Sequence, residues 1–163
     1  MMAVPFNADD IFEMAEQIER NGAKYYRTAA GNFSDNEVKQ FLNELARMED
    51  DHEKTFAGMR AELSTMERGA GVPDPDGQAV MYLQAMADGH VFDTKTDPSE
   101  KLTGRETLAD ILRTAIGMEK DSIVFYLGLV DGVSAGETKV RGIIAEEMSH
   151  ITLLSGKLAE LKK

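Results

Sequence analysis

The sequence predicts an all-α protein in which four long helices form an antiparallel bundle of two helical hairpins. Three observations predict it. Apolar residues recur at helical spacing through four segments, each segment opens on a capping residue, and no β-branched alternation marks a strand.

The first helix is expected over 8–30. Asn7 is its N-cap, and Asp9 and Asp10 lie in the first turn, where negative charge favours the helix dipole. Ile11, Met14 and Ile18 mark its apolar face, and Gly31-Asn32 ends it. The second helix is expected over 35–64, behind Ser34, with Glu37 completing a capping box. Phe41, Leu42, Leu45 and Met48 form its apolar face. The third is expected over 108–130, behind Thr107 with Asp110 as the reciprocal acid, carrying Leu108, Ile111, Leu112 and Ile116. Asp131-Gly132 stops it. The fourth is expected over 135–161, behind Ser134 with Glu137 as another box, carrying Ile143, Ile144, Met148 and Ile151.

Short turns join helices one to two and three to four, which makes each pair an antiparallel hairpin. Between the hairpins, residues 66–106 form a long crossover. It holds a Gly/Pro/Asp-rich piece, then Ala79-Val-Met-Tyr-Leu-Gln-Ala-Met86, expected as a short helix covering the bundle, then a polar loop. A chain of 163 residues is expected to form one domain with a sizeable core.

Composition narrows the function. The formal charge of −11 opposes binding to nucleic acid or an anionic membrane surface. No apolar run is long enough to span a bilayer, and the first ten residues have neither the basic nor the apolar region of a signal peptide, so a cytoplasmic location is expected. There is no cysteine, which excludes disulfides, thiol chemistry and any Cys-ligated iron centre held by this chain. The ten methionines suit an adaptable core.

The informative pattern is a repeat. Glu49-Asp-Asp-His52 and Glu147-Met-Ser-His150 are both E-x-x-H. At i, i+3 the carboxylate and imidazole leave one helical face, and such a pair binds metal. Glutamate fills 16 of 163 positions, so two histidines each preceded by Glu at this spacing is an event of about 1% without a pattern. The third histidine, His90, has no partner at ligand spacing. Helices one and three add a second repeat: Glu19-Arg-Asn-Gly-Ala-Lys-Tyr-Tyr26 and Glu119-Lys-Asp-Ser-Ile-Val-Phe-Tyr126, both E-x6-Y with an aromatic pair at the end. Two-fold placement of the hairpins would bring Glu19, Glu49, Glu119, Glu147, His52 and His150 together. Four buried carboxylates repel and lose hydration, and two divalent cations would balance them, +4 against −4. Such ligands suit iron or manganese, with zinc also compatible. Tyr26 and Tyr126 are placed to hydrogen-bond the ligand carboxylates. Glu13, Glu16, Glu44, Glu53 and Glu146 read as solvated-face residues.

The order E-x6-Y, E-x-x-H, long crossover, E-x6-Y, E-x-x-H resembles the ferritin-like superfamily, and within it the rubrerythrin-type di-iron proteins, over about residues 9–161. The resemblance implies a ferritin-like four-helix bundle and two iron ions. It implies Glu49 and Glu147 as bridging ligands, His52 and His150 as terminal ligands, and Glu19 and Glu119 as terminal carboxylates. It also implies reduction of hydrogen peroxide with electrons from a rubredoxin-type centre, and a homodimer. Two departures qualify it. Without cysteine, the electron donor would be a separate rubredoxin-like protein. And where rubrerythrins carry an extra glutamate on helix three, this chain has Ser122, leaving a symmetric six-ligand set like that of ferroxidase centres, which oxidise Fe(II) with dioxygen or peroxide.

Overall fold

The computed structural model of the chain describes residues 7–63, 78, 81–82, 85, 97–132 and 136–163. Among these residues four long helices and no strand appear: α1 (Ala8–Gly31), α2 (Asn36–Ala61), α3 (Leu108–Gly132) and α4 (Glu137–Glu160). At 1.5 Å per residue each is about 36–39 Å long.

The helix starts follow local chemistry. Asn7 and Asp10 form a reciprocal capping box, with Asp10 N donating to Asn7 Oδ1 at 2.9 Å and Asn7 N donating to Asp10 Oδ2 at 3.1 Å. Thr107 and Asp110 do the same at the start of α3. Two starts differ from the expectation. The cap of α2 is Asp35, not Ser34: its Oδ1 accepts from the amides of Glu37 and Val38, and a carboxylate there also opposes the positive end of the helix dipole. Helix α4 begins at Glu137 behind Gly136, whose φ of 73° is left-handed and which gives no side-chain cap. The Glu137 carboxylate accepts from Arg141 Nε instead of closing a box. The left-handed conformation favours glycine there, and Gly136 lies against the flexible end of the Met59 side chain. Ser134 lies outside the described residues.

The core falls into two apolar clusters. The first takes Ile11, Phe12 and Ile18 from α1, Phe56 and Met59 from α2, Phe125 and Leu129 from α3, and Val140 and Ile143 from α4. The second takes Tyr25 and Ala29 from α1, Leu42 and Leu45 from α2, Ile111 and Leu112 from α3, and Leu154 from α4. Each fully buried Leu, Ile or Phe contributes about 1.5–3 kcal/mol. Chain direction follows from this division. The start of α1, the end of α2, the end of α3 and the start of α4 share the first cluster, so each hairpin is antiparallel while α2 and α3 run the same way. The chain leaving α2 must therefore travel the length of the bundle to begin α3, which is why the crossover is long.

Part of that crossover is described. Gln78, Met81, Tyr82 and Ala85 are helical, in keeping with the short helix expected at 79–86; the other residues of that segment, and His90, lie outside the described set. The Tyr82 hydroxyl donates to the Val124 carbonyl of α3 at 2.8 Å. The 3-10 turn Pro98–Lys101, capped by Asp97, packs on α1, where Lys24 pairs with Asp97. Ion pairs also tie α1 to α2, including Arg60 to both oxygens of Asp9 at 2.9 and 3.0 Å.

Candidate metal centre

Between the two apolar clusters lies a polar layer to which all four helices contribute. Glu19 comes from α1, Glu49 and His52 from α2, Glu119 from α3, and Glu147 and His150 from α4. None is more than 4% exposed. The i, i+3 spacing places each Glu/His pair on the inner face of its helix, and antiparallel packing within each hairpin brings Glu19 to the level of Glu49 and Glu119 to that of Glu147.

The donor atoms form two groups, each within 4.8 Å of one another: Glu19, Glu49, His52 and Glu147, and Glu49, Glu119, Glu147 and His150. Glu49 and Glu147 belong to both. His52 Nδ1 lies 2.8 Å from Glu147 Oε1 and 3.4 Å from Glu19 Oε2. His150 Nδ1 lies 3.0 Å from Glu147 Oε2, 3.2 Å from Glu49 Oε1 and 3.5 Å from Glu119 Oε1. The two imidazoles face each other, 5.5 Å between centroids and 19° apart in plane.

Both tyrosines reach this layer. Tyr26 donates to Glu119 Oε1 at 2.5 Å, and Tyr126 donates to Glu19 Oε1. Each bond crosses between hairpins. Glu19 and Tyr26 share a face of α1 but stand about 10 Å apart along its axis, so each tyrosine serves the carboxylate of the opposite hairpin.

The residues fit a metal pair on three observations. Glu19 Oε2, Glu49 Oε1, His52 Nδ1 and Glu147 Oε1 are buried without a hydrogen-bond partner, although His52 Nδ1 and Glu147 Oε1 are only 2.8 Å apart. They converge on common points, as ligands do, without the directions that hydrogen bonds need. Gly22 sits mid-helix against Glu49, where a Cβ would come within 3.0 Å of Glu49 Oε2, so the absent side chain leaves that carboxylate its space. And the donor set, carboxylate and imidazole without thiolate, is that of divalent first-row metals.

Protons occupy this charge cluster when metal does not. Burial, then repulsion from Glu147, Glu119 and Glu19, pushes the Glu49 carboxyl well above the usual range. Burial and the charges of Glu19 and Glu119 do the same to Glu147, while contacts with Glu147, His150 and Tyr26 overcome burial and hold Glu119 below it. Glu147 and Glu119 thus act as acid and carboxylate in one pair. Burial works to lower the histidines, but hydrogen bonds and charge from Glu147 and Glu19 carry His52 up to about 11, and Glu119 and Glu147 carry His150 to about 9. Burial, with the charge of Glu119 and of Glu19 respectively, keeps the Tyr26 and Tyr126 hydroxyls protonated far above their ordinary range.

Some surroundings differ from the sequence reading. Glu146 touches the site: its Oε2 is 2.7 Å from His52 Nε2 although its side chain is 64% exposed. Its place beside Glu147 was the available signal. Glu16 is buried, 3.6 Å from the Arg60 guanidinium, and Glu53 is half-buried against Arg20 at 2.7 Å, so neither is a plain solvated-face residue. Ser122 donates its hydroxyl to the Met118 carbonyl at 3.0 Å.

No protein-family model matches the chain, and no curated protein matches it. It is similar to a crystal structure from Thermotoga maritima assigned as a ferritin-like diiron-carboxylate protein. The TM-score is 0.74 and the identity 28%, over 97% of this chain and 98% of that one. Among the described residues no helix is long and apolar enough to cross a membrane. This chain therefore has a ferritin-like, all-α four-helix fold with a buried Glu/His cluster able to hold two metal ions.

Proposed function

We propose that the chain is a di-iron carboxylate redox protein of the rubrerythrin type that reduces hydrogen peroxide to water. The observation that carries this reading is the pair of four-ligand groups sharing Glu49 and Glu147. On this reading Glu49 and Glu147 would contribute to both iron positions, His52 and Glu19 would complete one, and His150 and Glu119 would complete the other. Bound iron supplies one-electron redox chemistry, Fe(II) to Fe(III), at each position.

The chain's own residues support that use. The two apolar clusters close the site above and below, so water is excluded from the reacting centre. Tyr26 and Tyr126 orient the terminal carboxylates through hydroxyl protons they keep. The overall balance is one peroxide, two electrons and two protons to two waters. Because the chain has no cysteine to hold an iron–sulfur centre, the electrons come from a separate rubredoxin-like donor. The reading extends to a cytoplasmic homodimer.

A second reading has its own observation. Ser122 turns its hydroxyl onto the Met118 carbonyl and supplies no fifth carboxylate, which leaves three carboxylates and one imidazole in each group and favours a ferroxidase that oxidises Fe(II) with dioxygen. Stopped-flow mixing of the anaerobic Fe(II)-loaded protein with peroxide and, separately, with dioxygen decides between them. Faster oxidation by peroxide supports the first reading, and faster oxidation by dioxygen overturns it in favour of the second.

A further inference from the structure

The hairpins repeat each other in ligands and tyrosines but not around their histidines. His52 is contacted on both sides of its ring. Nδ1 faces Glu147 and Glu19 inside the bundle, and Nε2 meets Glu146 at 2.7 Å from the α4 surface. A carboxylate accepts, so the Nε2 nitrogen carries the proton and donates it to Glu146, which leaves Nδ1 as the ring atom turned into the cluster. His150 has a different environment. Its three carboxylate neighbours, Glu147, Glu49 and Glu119, all approach Nδ1 most closely, and among the described residues no fourth carboxylate is in ion-pair contact with it. The position equivalent to Glu146, one residue before the first Glu of the other E-x-x-H, is Met48. Met48 packs against the apolar cluster of Tyr25, Leu42 and Leu45, and a thioether is a weak acceptor at best.

We propose that Glu146 is a positioning residue that makes the two metal positions unequal: by holding the Nε2 proton of His52 it presets that ring for coordination through Nδ1, so the Glu19–Glu49–His52–Glu147 position fills before the Glu49–Glu119–Glu147–His150 position. The inference rests on the di-metal reading and adds an order of loading to it. A carboxylate behind a metal-bound histidine fixes its tautomer and raises its basicity, and losing one costs about 10–100-fold in metal affinity. Glu146 is mostly in solvent, so its removal leaves the bundle core untouched.

The test is zinc titration of the metal-free protein by calorimetry at high salt, where the loss of one surface charge is screened, with NMR of the histidine rings alongside. Wild type should bind two zinc ions with separable affinities. His52 ring signals should move during the first equivalent, with an Nε2-bound proton visible in the zinc form, and His150 signals during the second. Glu146→Ala should weaken only the tight step, by about 10–100-fold, and lose the Nε2 proton signal. Glu146→Gln, whose amide oxygen still accepts, should recover part of both. Equal affinities in wild type, an unchanged tight step in Glu146→Ala, or equal weakening of both steps would overturn the proposal while leaving the two-metal reading in place. Binding of fewer than two zinc ions by wild type would instead sink the two-metal reading itself.

Discussion

Tyr26 on α1 donates its hydroxyl hydrogen to Glu119 Oε1 on α3 across 2.5 Å, tying the first hairpin to a buried carboxylate of the second. Tyr126 returns the same bond to Glu19. Tyr26→Phe keeps the ring and its packing but strips a fully buried carboxylate of its donor. The metal-free protein should lose about 1–3 kcal/mol in urea unfolding. Metal affinity should fall by about 10–100-fold. A Tyr26→Phe variant as stable and as avid as wild type would mean the bond has no part in organising the site.

Gly22 separates the needs of the helix from those of the site. A glycine inside α1 costs about 0.5–1 kcal/mol relative to alanine. The unliganded Glu49 side chain can give way to a new methyl group, but a Glu49 held between two ions cannot. Gly22→Ala should therefore leave metal-free stability equal or slightly raised, and reduce metal affinity at both positions. Thermal melts with and without metal check this. Undiminished metal binding in Gly22→Ala would show that Glu49 needs no clearance there.

Glu147 lies in both ligand groups, so Glu147→Ala should remove the paired site while the bundle folds. Packing comes from the two apolar clusters, not from metal as in a zinc finger. Circular dichroism should show retained helix, and metal analysis should fall from two ions per chain to one or none. Two ions retained would remove Glu147 from the ligand set.

The metal-free protein should lose stability as pH rises. His150 and His52 have folded-state pKa values of about 9 and about 11, above the unfolded value near 6.5. Their contribution is complete below the unfolded value and is lost as pH rises through about 9 and then about 11. Glu49 and Glu147, also raised, add the same sign from their ordinary range upward. Melting temperatures of the metal-free protein should thus fall between neutral and alkaline pH, whereas the metal-loaded protein, with ions in place of those protons, should vary less. Metal binding near pH 7 should release protons, visible as a dependence of calorimetric heat on the buffer's ionisation enthalpy. Metal-free stability that rises through this range would contradict the protonated cluster.

Most of this centre was legible because its signals are local and repeated. E-x-x-H fixes a shared face within one turn, and E-x6-Y marks the facing helix of each hairpin. What escaped depends on neighbours that spacing does not encode. Glu146 looks solvent-facing from its own helix and is mostly exposed, yet its carboxylate reaches a histidine on α2. Glu16 follows the same register as exposed acids but is covered by Arg60 from the next helix. The helix starts moved for similar reasons. Asp35 takes the Glu37 amide that Ser34 would have capped, and the Val38 amide with it, while Gly136, left-handed and beside Met59 of α2, starts α4.

The central claim is a pair of metal ions bridged by Glu49 and Glu147, and anomalous diffraction at the iron edge from anaerobically Fe(II)-loaded crystals tests it most directly. Two peaks about 3.5–4 Å apart, lying between α2 and α4 with Glu49 and Glu147 touching both, are the expected result. A single peak, or peaks away from Glu19, Glu49, His52, Glu119, Glu147 and His150, would contradict it.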